Sequence, residues 1–225
     1  MYIALLGFVV PFILALGLAL PPTRDATLWF VQGERHPVEI ITAITLFAGT
    51  FLGISLTRRL IKAKAGPLAV GFFGFFTFGL FLVALEEIAW GQWIYRFNTP
   101  EFVKGWNQQG ETTLHNMPGL QGHTEVLRMA FGFGGLIGIA VGFRQAFRRI
   151  GVPVVILPWF LSIAVLASVE FYVTPGRMFL CNRITTVIFQ MGEATEMLVA
   201  IAGLLYVALR RRQLTTDSVR AEHTR

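Results

Sequence analysis

Seven glutamates, Glu39, Glu86, Glu87, Glu125, Glu170, Glu193 and Glu196, fall within or at the edge of long apolar stretches. A carboxyl is costly there, so such a group marks function more than fold. They gather near one end of five of the six apolar stretches, the end that lysine and arginine avoid. Glu87, Glu193 and Glu196, with His115 from a long connection, are the set expected to carry chemistry, and Glu86 and Glu170 are expected to support it. Two forms of that chemistry are open. In a like-charged pair such as Glu193 and Glu196, one carboxyl held protonated acts as acid while another acts as base. Alternatively Glu87, Glu196 and His115 hold a divalent cation such as Zn, Mn or Fe, which activates a water. No His-x-x-x-His, Glu-x-x-His or Asp-rich helix motif singles out the metal form.

Plainer roles stand beside these. Glu39 and Glu125 lie close enough to helix ends to be solvated interface residues, Glu86 is within reach of Arg96, and Glu170 is within reach of Arg177 or Arg183 as ion pairs. Trp90, Gln92, Trp106, Asn116 and Tyr172 are the expected substrate contacts, although Trp90, Trp93, Tyr95 and Trp106 also suit an aromatic belt at the membrane surface. Adjacent helical residues point about 100° apart. Glu86 therefore shares a stripe with Trp90 and Trp93, and Glu87 shares one with Val83, Ala84 and Gly91, which directs Glu87 to the interior. Gln190, Glu193, Glu196 and Met197 stack on one face of the last stretch.

The elements that must position these groups follow from composition. The 225 residues are 54% hydrophobic and 14% charged, against roughly a quarter charged in an ordinary soluble domain. Runs of about 20 apolar residues span a bilayer, and six are read at 2–20, 38–57, 67–93, 126–143, 153–173 and 184–209. The expected fold is an all-α integral membrane protein, a six-helix bundle forming one domain over 1–209, followed by a basic tail at 210–225. The first stretch lacks a basic leader and is longer than a signal core, so it is read as a retained helix. Cys181 is the single cysteine, which excludes an intramolecular disulfide or a cysteine metal cage.

The net charge of +6 is distributed by topology rather than as a nucleic-acid surface. Arg58, Arg59, Lys62 and Lys64, then Arg144, Arg148 and Arg149, then Arg210 to Arg212, all fall in alternate connections. The positive-inside rule places those connections and both termini in the cytoplasm, with the basic residues also meeting anionic lipid. Short connections at 58–66 and 144–152 imply antiparallel hairpins. The outer loop 94–124 is long enough to be functional. Within it Thr99-Pro100-Glu101 reads as a helix start, Phe102, Val103 and Trp106 share a face, and Gly110 ends a short helix lying in the interface. Glycine-rich helices 3 and 4 predict close packing, and Pro158 predicts a kink.

The stretch Glu86-Glu87-x-x-Trp90-Gly91-Gln92, then Thr99-Pro100-Glu101, then Asn107-x-Gln109-x-Glu111-x-x-Leu114-His115-Asn116, resembles a motif set of uncharacterised bacterial multi-pass membrane proteins. That resemblance implies a bacterial inner-membrane location and marks the end of helix 3 and the loop as one unit, and it carries no reaction with it. The leading expectation is a membrane-embedded enzyme acting on a lipid or lipid-linked substrate at the outer leaflet, with the loop as lid. A proton- or cation-coupled transporter and a non-catalytic subunit with membrane-protein partners are the alternatives.

Overall fold

The computed structural model describes residues 2–32, 36–101, 113, 124–173 and 182–223, with the side chains of 93, 182, 183 and 215–223 left aside. Helices α1 (Tyr2–Ala19), α2 (Pro21–Val31), α3 (Pro37–Lys62), α4 (Pro67–Glu87), the single turn α5 (Gln92–Tyr95), α6 (Thr124–Gly142), α7 (Leu157–Val173), α8 (Asn182–Gln190) and α9 (Gly192–His223) follow one another, with no strand among the described residues. Six segments are long and apolar enough to cross a membrane: α1, α3, α4, α6, the stretch Val154–Val173 ending in α7, and α9 as far as Leu214.

The bundle is two hairpins joined by a central helix. α3 packs on α4, α6 packs on α7, α9 lies between α3 and α7, and α1 covers the far side of α7. In α9, 56% of the spanning stretch is buried against 17–39% in the others, which makes it the axis of the bundle. In α4 the residues Ala69, Phe73, Thr77, Leu80 and Ala84 are buried at helical spacing, and Phe75 and Phe78 face outward. The next residue on that inward stripe is Glu87.

Small residues set the distances that matter for the site. A Cβ added to Gly132 of α6 would lie 2.6 Å from the Ala164 amide nitrogen of α7, and one added to Gly135 would lie 1.9 Å from the Phe160 ring. Helix backbones in lipid approach this closely only where side chains are absent.

Several elements depart from the sequence reading. α2 has no counterpart among the six expected stretches; Pro21 begins it, in the first turn where a missing N–H costs nothing. Thr23 Oγ1 donates to the Gly17 carbonyl at 3.0 Å, and Val31 packs with Leu18, Met191 and Ala194 in a second small core. The stretch expected to be helical through 93 ends at Glu87, and the stretch expected at 184–209 is interrupted at Met191 and then stays helical to His223, through most of the basic tail. Pro158 produces no kink, since it falls in the first turn of α7. The interior proline is Pro11 in α1. It deprives the Gly7 carbonyl of its helical donor, and Ser162 Oγ of α7 donates to that carbonyl at 2.8 Å. The short interfacial helix expected in the outer loop lies, from residue 102 onward, outside the described residues.

Candidate functional site

The end of α4 explains why the Glu-Glu-x-x-Trp-Gly-Gln stretch is a unit. After Glu87 the chain leaves the helix through Ala89, Trp90 and Gly91, all at positive φ (44°, 54° and 88°). Glycine accepts that conformation freely, whereas for the other two it costs roughly 1 kcal/mol each. The turn is closed by the Trp90 indole N–H donating to Glu86 Oε1, and by the Gln92 amide donating to Thr99 Oγ1 at 3.2 Å. Trp90 is 38% exposed, and Thr99 is buried. Trp90 and Gln92 therefore act first as parts of this turn.

Deeper in the same end of the bundle lies an arginine that the sequence reading passed over. Arg128, one turn into α6, is only 7% exposed. Its Nη2 donates to both carboxyl oxygens of Glu170 on α7 at 2.9 Å. Its Nη1 donates to Glu196 Oε1 on α9 at 2.6 Å and to the Gly192 carbonyl at 3.2 Å. The guanidinium fork thus ties three helices together, and planar two-point pairing of this kind is what arginine supplies and lysine does not. Its Nε has no hydrogen-bond partner among the described residues. Gly192 leaves room for the arrangement: a Cβ there would stand 3.3 Å from Glu170 Oε1 and 3.5 Å from Arg128 Nη1. The break between α8 and α9 at Met191 and Gly192 is where this fork enters.

Arg128 supplies Glu170 with a counter-charge that the sequence reading did not name; the pairing expected with Arg177 or Arg183 falls on residue 177 and the Arg183 side chain, which lie outside the described set. Glu125, expected to be solvated, is 5% exposed, and its charge acts on Glu170.

Glu87 has different neighbours. Among the described residues it has no hydrogen-bond partner, and the charges acting on it are all carboxyls: Glu196, Glu193, Glu39 and Glu86. They arrive from α9, α3 and α4 itself. Glu196 therefore belongs to two neighbourhoods, paired with Arg128 on one side and facing Glu87 on the other. Glu193 lines a cavity of about 430 Å³ with Gln32, Phe189 and Gln190. The structure thus brings Glu87, Glu193, Glu196, Glu170 and Glu86 to one end of the bundle. Tyr172 lies two residues beyond Glu170, about 200° around the helix, and is 52% exposed with its ring edge on Phe171. It does not join them. His115, Trp106 and Asn116 lie outside the described residues.

No three His, Cys, Asp or Glu side chains among the described residues come together closely enough to hold a metal ion. What is assembled is a set of carboxyls with one guanidinium, an arrangement that moves protons or balances charge. Arg128 had a sequence signal: an arginine several residues inside an apolar run. The carboxyls drew the attention because they outnumber it.

Comparison with protein-family models, curated proteins and solved structures returned no significant match.

Proposed function

We propose that this protein is a membrane-embedded enzyme of a bacterial inner membrane, acting on a lipid or lipid-linked substrate at the outer leaflet by carboxyl acid–base chemistry. The observation that carries this reading is the contrast between Glu87 and Glu196. Glu196 is paired with the Arg128 guanidinium at 2.6 Å, a placement that suits a base. Among the described residues Glu87 has carboxyls as its charged neighbours, and a carboxyl grouped with others suits the exchange of a proton. Glu196 takes a proton from water or from a substrate hydroxyl as it attacks, and Glu87 gives one to the leaving oxygen. Glu170 and Arg128 are positioning residues for Glu196. The cavity beside Glu193 receives the polar head of the substrate. The metal-dependent form, with Glu87, Glu196 and His115 as ligands, depends on His115 and is the weaker form of the same proposal.

The carboxyl surroundings of Glu87 also favour a second reading, a proton- or cation-coupled transporter. Against it, the core between the two ends is closed by Phe73, Leu80, Leu198 and Val207. The buried hydroxyls of Thr50 and Thr77 are committed to the carbonyls of Leu46 and Phe73 in their own helices. A path for ions would have to open through that apolar layer.

The test is a comparison of membrane lipids in cells lacking the gene and complemented with wild type, Glu87→Gln or Glu196→Gln. A lipid species that accumulates in the deletion should disappear with wild type and persist with either variant, each present at normal abundance. Full rescue by both variants overturns the site.

A further inference from the structure

The opposite, basic end of the bundle holds a larger cavity, about 1550 Å³, between the α3–α4 connection, the α6–α7 connection and α9. Arg148 and Arg149 line it from one side and Arg210 and Arg212 from another, and no carboxylate among the described residues lines it. Arg149 donates to the Ala65 carbonyl and Arg210 to the Gly151 carbonyl, which holds both against the walls. Arg148 and Arg212 are exposed.

The N-terminus of α4 opens on the same space, since Gly66, Pro67, Leu68 and Ala69 all line the cavity. This 21-residue helix has no side-chain cap. The Leu68 and Ala69 amides have no acceptor within the helix, and such ends attract anions. The rest of the lining is apolar, including Leu60, Ile150, Leu209 and Leu214. A wholly hydrated anion gains nothing from such walls, whereas an anion joined to a hydrocarbon chain does.

We propose that this cavity is a specific binding site for a phosphate-ester anion, the headgroup of an anionic phospholipid whose first methylenes lie along the apolar wall. The four arginines are therefore more than markers of topology: those lining the cavity differ in function from Arg58, Arg59, Lys62 and Lys64, which lie outside it. The assignment does not depend on the chemistry at the acidic end.

The test uses the full chain in detergent, titrated with phosphatidylglycerol, phosphatidylcholine or inorganic phosphate and read by native mass spectrometry. Phosphatidylglycerol should fill one saturable site that phosphatidylcholine does not fill. Arg148→Gln with Arg212→Gln should weaken it by about tenfold or more, in line with the electrostatic worth of basic residues at a membrane surface. Arg58→Gln with Lys62→Gln should leave it within about twofold, both variants eluting as single symmetric peaks. Equal weakening by the two pairs, or binding without saturation, overturns the site. Inorganic phosphate filling it as well as the lipid does overturns the lipid assignment.

Discussion

Replacing Arg128 with methionine would leave the partly buried Glu170 and Glu196 without the cation they share; breaking a fully buried pair costs about 3–5 kcal/mol, and the water that reaches Glu196 lowers the cost here. The expected outcome is a large drop in thermal stability in detergent. Arg128→Lys should recover only part of it, because an ammonium cannot bond both oxygens of Glu170 and reach Glu196 at once. Glu87→Gln should behave in the opposite manner, removing function by about 100-fold or more while stability stays level or rises, since a neutral amide cannot add a like charge to the carboxyl group around it. If Glu87→Gln instead unfolds the protein, Glu87 is structural. That Glu87, Glu193 and Glu196 fall within long apolar helices was legible from hydropathy; that Glu193 is exposed was not. Glu125 was misjudged because its distance from the helix end suggests solvent, and its burial depends on what neighbouring helices place over it.

At the scale of elements, α6 and α7 must stay in close contact for Arg128 to reach Glu170. Gly135→Leu drives a side chain into the Phe160 ring, so it should lower the melting temperature and also weaken the fork about two turns away along α6 in function assays. Gly134→Leu, on an open face with nothing within 4 Å, should be tolerated. Ser162→Ala removes the donor to the Gly7 carbonyl freed by Pro11, a loss of about 1 kcal/mol measurable by the same melting experiment. The spans themselves were legible because bilayer thickness fixes their length. The turn at Ala89 to Gly91 was not, since two of its three left-handed residues are not glycine, and the break at Met191 answers to the insertion of Arg128 rather than to any local signal.

At the scale of the whole molecule, the charge asymmetry that assigns cytoplasmic termini predicts which sites are reached from each side. In a Cys181→Ser background, Lys64→Cys should react with an impermeant thiol reagent only after cells are opened, and Tyr95→Cys should react in intact cells. Reversed labelling would place the carboxyl cluster on the cytoplasmic side and move the proposed substrate to the inner leaflet. In the proposed account the two ends of the bundle divide the work, the arginine-lined cavity holding an anionic lipid and the carboxyl cluster acting on substrate. The most direct measurement is lipid turnover by purified protein reconstituted in vesicles of extracted native lipid, comparing wild type, Glu87→Gln and Glu86→Gln. The account predicts a lipid species converted by wild type and by Glu86→Gln but not by Glu87→Gln; identical lipid profiles for wild type and Glu87→Gln would contradict it.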